Sequence, residues 1–190
     1  AYLDYPAVYV DPDLAEQVCA FETKQLPTEA QWEKAARGGC EIGGDPAACD
    51  EADERPYPWG WDRPTDTLAF FGAEEFPPVG SRPLGASAYG VMDLTGSVTE
   101  LVLDCDPPTD GSGPTEGYLA CMDGCADPLN LRCPAGTWWR ILRGGRGGCF
   151  ASGTTWGLRV YDRQVEAGGT SDDGARCVRS SVPHGGGGPP

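Results

Sequence analysis

Cysteine is the residue type with the widest chemical reach in this 190-residue chain: nine cysteines stand against two methionines and one histidine. Thiolates bind soft metals, attack electrophiles or pair as disulfides, and their spacing separates these uses. A zinc site draws its ligands from Cys or His doublets. Here no Cys-x-x-Cys pair occurs, Cys121 and Cys125 are the closest two, Cys133 follows without a second doublet, and His184 sits in a Gly/Pro tail. Disulfides in an oxidising compartment are therefore expected, in a secreted, periplasmic or cell-surface setting. Nine is odd, so at least one thiol is free or pairs outside the chain. Cys40 and Cys49 bracket Gly43-Gly44-Asp45-Pro46, which reads as a surface loop closed by a local disulfide.

Arginine carries a second kind of chemistry. From Arg132 to Arg163 there are six arginines and one acid, Asp162, whereas residues 40–75 hold ten Asp or Glu against Arg55 and Arg63. Two readings stay open. The arginines pair internally with the acidic first half, or they form a surface for an anionic ligand or partner. A net charge of −15 argues against nucleic acid and anionic membranes, both of which would repel the chain. No apolar run reaches the length of a membrane span. The abrupt start at Ala1 is that of a mature or trimmed product.

The elements that must position these side chains are short. Gly (28) and Pro (18) are too frequent for a helical or regular sheet protein, yet aromatic residues recur throughout, so the expectation is a loop-rich α+β domain over 1–181. Asp11-Pro12 signals a helix over 12–22, an acceptor at the N-cap followed by a proline whose missing N–H costs nothing there. Leu14, Val18 and Phe21 lie on one face of it. Thr28 and Gln31 form a capping box for a second helix through Arg37, with Trp32, Ala35 and Ala36 on its buried side and Gly38-Gly39 ending it. Strands are expected near Val98–Leu103 and Trp138–Leu142. Asp104–Gly136 reads as a cysteine-bearing insertion, and 182–190 as a Gly/Pro-rich tail.

Three runs belong together: Leu26-Pro-Thr-Glu-Ala-Gln-Trp-Glu33, Tyr89-Gly-Val-Met-Asp-Leu-Thr-Gly96, and Arg143-Gly-Gly145, followed by Gly174-Ala-Arg-Cys177. In this order and spacing the chain resembles the formylglycine-generating enzyme (sulfatase-modifying factor) family over about residues 5–180. The resemblance implies an irregular C-type-lectin-like fold with short antiparallel strands. It implies a Cys19–Cys177 disulfide, and calcium held by the Asp93 and Glu100 side chains with the Gly96 and Val98 carbonyls, hard oxygen ligands of the kind that ion prefers. The positions of a second family disulfide hold Ala36 and Arg159, and those of a second calcium site begin with Ala69 and Phe70.

The family's catalytic pattern is only partly present. Its enzymes hold copper between two thiolates; Cys149 fills the first position, but Thr154 stands at the second, and a hydroxyl does not replace a thiolate for a soft metal. Arg146 and Thr99 replace two residues lining the family's substrate groove. Only Tyr5–Val10 precedes the first helix, where the family has a further strand and helix, so the expectation is a fragment, a replacement of those elements, or a sheet edge completed by another chain of a surface assembly. Copper is not expected. The resulting expectation is a non-catalytic, disulfide- and calcium-stabilised extracellular binding or structural module. The alternatives are a copper-dependent formylglycine-generating oxidase acting on a protein cysteine, with Cys149 active, and a C-type-lectin-like protein that binds ligands through a variable surface of Arg146, Thr154, Trp156, Arg159 and Arg163.

Overall fold

Two capped helices lie on opposite faces of one small sheet. The computed structural model describes residues 3–39, 42, 55–71, 75–105, 139–145, 157–167 and 173–179. Cys40, Cys49, Cys149, Arg146, Thr154 and Trp156 lie outside the described residues, as do most of the 104–136 insertion and the 182–190 tail. Helix α1 spans Pro12–Phe21 and α2 spans Glu29–Arg37. The sheet comprises β1 (Thr99–Cys105), β2 (Trp139–Arg143), β3 (Gln164–Ala167) and β4 (Asp173–Ala175), in the order β3-β2-β1-β4. The β1–β2 and β2–β3 pairs are antiparallel. The expected all-antiparallel arrangement needs one correction: β4 joins β1 in parallel, Thr99 opposite Asp173. Among the described residues no helix is long and apolar enough to cross a membrane.

Both helix starts follow their sequence signals. The Asp11 carboxylate accepts the Leu14 amide at 2.8 Å. The Thr28 hydroxyl accepts the Gln31 amide at 3.1 Å while the Gln31 side chain accepts the Thr28 amide at 3.0 Å. A further cap comes from the sheet, where Asp104 on β1 accepts the Glu29 amide at 2.6 Å. The Leu26-Pro27 step leading into α2 is fixed as well. Leu26 is fully buried, the Pro27 carbonyl accepts the Leu103 amide at 2.8 Å, and Gln25 exchanges backbone hydrogen bonds with Val178.

Strand β1 is buried along its whole length because both its faces are covered. Leu101 and Leu103, with Leu142 opposite Leu101, pack on Ala15 and Cys19 of α1 and on Val10 and Leu26. Val102 faces the other way, with Ile141, Val160 and Leu94, onto Trp32 and Ala36 of α2. The Cys19–Cys177 disulfide closes the first of these layers, its Cα atoms 5.3 Å apart. Cys105, at the end of β1, is disulfide-bonded too.

The apolar stripe read on α1 does not face the core. Leu14, Val18 and Phe21 are 45%, 52% and 91% exposed, and Pro12, Ala15 and Cys19 are the buried face. Small residues and a half-cystine, rather than the large apolar side chains, form the face that packs on Leu101 and Leu103. On α2, Trp32 and Ala36 are buried as expected and Ala35 is only partly so.

Candidate functional site

Two of the four non-glycine residues with left-handed φ among the described residues lie in the turn from Met92 to Glu100. Asp93 and Ser97 adopt left-handed φ values of 58° and 64°, with Gly96 at 80° between them. Non-glycine residues in that region carry strain and persist only when their surroundings hold them. The surroundings do so from several directions. The Gly96 amide donates to the Gly144 carbonyl at 2.8 Å, the Ser97 amide to the Phe70 carbonyl at 2.9 Å, and the Gly80 amide to Asp93 Oδ2 at 2.6 Å. A Cβ on Gly96 would lie 2.2 Å from the Phe70 carbonyl oxygen, so the close approach and the positive φ both require glycine there.

Beside this turn is a cavity of about 340 Å³, lined by Tyr5, Asp93, Ser97, Val98, Glu100 and Arg176 among others. Three of the four residues expected to hold calcium therefore meet at one cavity, and Gly96 lies within the same turn. Glu100 is buried, and its carboxylate is heavily engaged. Its Oε2 accepts Trp32 Nε1 at 2.6 Å and Arg176 Nε at 2.6 Å; its Oε1 accepts Arg176 Nη2 at 2.5 Å. Arg176 Nη2 also reaches the Met92 and Asp93 carbonyls, at 3.3 Å each. Burial pushes the Arg176 guanidinium down, but the Glu100 carboxylate, with a smaller contribution from Asp93, more than offsets it, so the net direction is upward. Among the described residues no three His, Cys, Asp or Glu side chains converge as a metal cluster.

A second polar centre lies on the α2 side of the sheet. The register places Glu100 opposite Arg143. Arg143 is buried beside Trp32, its guanidinium 5.1 Å from the ring centroid. Its Nη1 donates to Glu29 at 2.8 Å, and its Nη2 donates to Glu33 at 2.7 Å and to the Val160 carbonyl. Arg163 Nε lies 3.0 Å from the same Glu29 oxygen, and Arg37 lies 2.9 Å from the other Glu33 oxygen. The result is an alternating series, Arg37–Glu33–Arg143–Glu29–Arg163. On the opposite face Arg140 pairs with Glu16 at 2.5 Å. Arg140, Arg143 and Arg163 are thus bound to acids of the first half of the chain. Arg159 differs, being exposed, bonded to Tyr57 and 5.6 Å from the Tyr161 ring centroid.

The Arg-Gly-Gly run ends where two segments touch. A Cβ on Gly145 would lie 2.3 Å from the Gly157 carbonyl oxygen, and Gly145 has a φ of 63°. Gly145 and Gly157, which flank the stretch of sequence carrying Arg146, Cys149, Thr154 and Trp156, therefore stand side by side. Thr99, which stands where the family has a groove-lining residue, is buried, its hydroxyl donating to Asp173 at 2.6 Å. Trp32 and Arg176 are the residues whose site roles the sequence reading missed. For Arg176 a signal existed: it immediately precedes a half-cystine expected to be anchored, so its reach is restricted.

Comparison with known proteins matches residues 1–181 to a family model described as a sulfatase-modifying factor enzyme 1-like domain. Over 99 residues the chain is 40% identical to the hercynine oxygenase of Mycobacterium tuberculosis, covering 51% of this chain and 21% of that protein. Over 110 residues it is 36% identical to the inactive C-alpha-formylglycine-generating enzyme 2 of Bos taurus, covering 52% and 32%. The chain thus spans between a fifth and a third of the curated relatives it matches. Among solved structures it resembles PvdO from Pseudomonas aeruginosa, with a TM-score of 0.63 and 22% identity over 90% of this chain and 60% of that one. That likeness concerns the fold.

Proposed function

The chain belongs to the sulfatase-modifying factor enzyme 1-like domain family, and from that premise we propose that it serves an oxygen-dependent oxidation, as part of an oxidoreductase. The similarity to hercynine oxygenases carries this reading, since three such enzymes are 39–40% identical to the chain over 99 residues. It corrects the expectation of a non-catalytic extracellular module and favours the oxidase alternative, because these relatives are enzymes.

The residues present limit how the oxidation is done. With one histidine, this chain alone does not supply the two-histidine, one-carboxylate set of a non-haem iron centre. Copper between two thiolates would supply oxygen activation, but Cys149 with Thr154 offers one thiolate and one hydroxyl, which does not fit that donor set. A second sulfur ligand would have to come from another cysteine. The Arg143 ion-pair series and the Gly145–Gly157 contact flank the stretch of sequence that carries Cys149. The bonded cysteines Cys19, Cys177 and Cys105 support an oxidising compartment.

The test is oxygen uptake by the purified protein with a thiol reductant and either copper or iron salt. Hercynine is offered in one series and a Cys-x-Pro-x-Arg peptide in the other, with products read by mass spectrometry. Substrate-dependent uptake with a matching change in product mass is expected in one series. No substrate-dependent uptake in either, with either metal, overturns the proposal.

A further inference from the structure

The calcium that the family resemblance implies does not fit the donor set at the Met92–Glu100 turn. Calcium needs several oxygens at about 2.3–2.6 Å, and carboxylates are its strongest side-chain ligands. Of the two carboxylates available, Glu100 is committed to a cation already. Arg176 approaches both its oxygens at 2.5–2.6 Å, and Trp32 takes a second position on Oε2. A divalent ion bound to those oxygens would stand directly beside a guanidinium, with like charges opposed in a largely buried setting. Asp93 Oδ2 is likewise occupied, by the Gly80 amide.

The same guanidinium gathers the oxygens that a bound ion would gather. It reaches both carboxylate oxygens of Glu100 and the backbone carbonyls of Met92 and Asp93. We infer that Arg176 is the resident cation of this turn, a covalently tethered group that holds the strained Asp93–Ser97 backbone without calcium. Two observations make it suited to that role. A planar guanidinium matches a carboxylate side-on with two parallel hydrogen bonds. Its position is also fixed from outside the turn, because β4 pairs with β1 immediately before it and the Cys19–Cys177 disulfide follows it. An ion exchanges with solvent; this cation cannot.

The experiment is a binding measurement and needs no activity, so its failure is distinct from failure of the oxidation reading. Wild-type protein is stripped with a chelator, then titrated with calcium by calorimetry and melted with and without the ion. Terbium luminescence excited through tryptophan gives a local readout, because Trp32 Nε1 touches Glu100. In the wild type the melting temperature is expected to move by less than about 1 °C, since a ligand that does not bind cannot stabilise. Arg176→Met frees the Glu100 carboxylate; this variant is expected to melt higher in calcium and to gain terbium emission about tenfold over wild type, as a new site would by mass action. Glu100→Gln in that background should abolish the gain.

Calcium binding by the wild type that Glu100→Gln removes overturns the inference. A folded Arg176→Met variant that stays blind to both ions overturns it too. Wild-type calcium binding that survives Glu100→Gln but is lost on Asp93→Asn places the ion at this turn and overturns it as well. Should Arg176→Met not fold, the wild-type titration with its Glu100→Gln and Asp93→Asn controls decides the matter alone.

Discussion

Replacing Arg143 with methionine tests the central ion-pair series most directly. Methionine fills much of the same volume but removes two charge-assisted hydrogen bonds, to Glu29 and Glu33, and one to the Val160 carbonyl. Breaking a buried pair costs about 3–5 kcal/mol when it strands a charge. Here neither carboxylate is stranded, because Glu29 keeps Arg163 at 3.0 Å and Glu33 keeps Arg37 at 2.9 Å. The expected loss is therefore at the lower end, about 3 kcal/mol. For a chain of this size that lowers the melting temperature by roughly 6–12 °C. Thermal and urea unfolding followed by circular dichroism would measure it. Double-mutant cycles with Glu29→Gln and Glu33→Gln would apportion it. Coupling to Glu29 should exceed coupling to Glu33, because their side chains are 6% and 29% exposed and solvent screens the second pair. A loss below about 1 kcal/mol, the range of exposed pairs, or the reverse order of couplings, would refute the reasoning.

Cys19→Ser or Cys177→Ser opens a loop of 158 residues and should cost roughly 5 kcal/mol by the chain-entropy relation, measured by urea unfolding under non-reducing conditions. Gly145→Ala combines a positive φ with a 2.3 Å approach to the Gly157 carbonyl oxygen; a loss of at least about 2 kcal/mol is expected, and thermal melting would check it. Changing Leu14, Val18 and Phe21 singly to serine should shift stability by no more than about 0.5 kcal/mol each, as at other exposed positions. Losses of the size seen for core truncations would return that stripe to the interior.

What could be read from the chain was local. Asp11-Pro12 and Thr28…Gln31 fixed the two helix starts because a cap is a contact over three residues. The loose alternation over Val98–Leu103 and the run Trp138–Leu142 leading into the Arg-Gly-Gly turn marked β1 and β2, although both strands also bury charged side chains. The α1 face was misread because its strongest apolar period, Leu14, Val18 and Phe21, does not point at the sheet. The facing residues are Pro12, Ala15 and Cys19, which carry little apolar signal of their own. Gln164–Ala167 and Asp173–Ala175 carry no strand signal of their own and are recruited by pairing. The site was half legible: the Asp93–Glu100 turn was located, but the partner of Glu100 lies 76 residues away and that of Glu29 lies 114 residues away, beyond any periodicity. The arginine cluster left two readings open, and for Arg140, Arg143 and Arg163 the structure supplies partners in the acidic half.

The position of β1 at the centre of the sheet has a consequence for synthesis. Asp104 caps α2 across 75 residues, Thr99 meets Asp173 across 74, and Cys19 meets Cys177 across 158. Much of what covers Leu26 and Trp32, from Leu94 to Val160, is made only well after the two helices. At about 5–20 residues per second, Cys19 precedes Cys177 out of the ribosome by roughly 8–30 s. During that interval the first helix carries an unpaired thiol past Cys40, Cys49, Cys105 and the insertion cysteines, each of which emerges before the correct partner. In an oxidising environment, oxidation during synthesis would therefore trap wrong pairs first, and the native bond would arise by thiol–disulfide exchange. The yield of folded protein should accordingly depend on a disulfide isomerase more than on the strength of the oxidant.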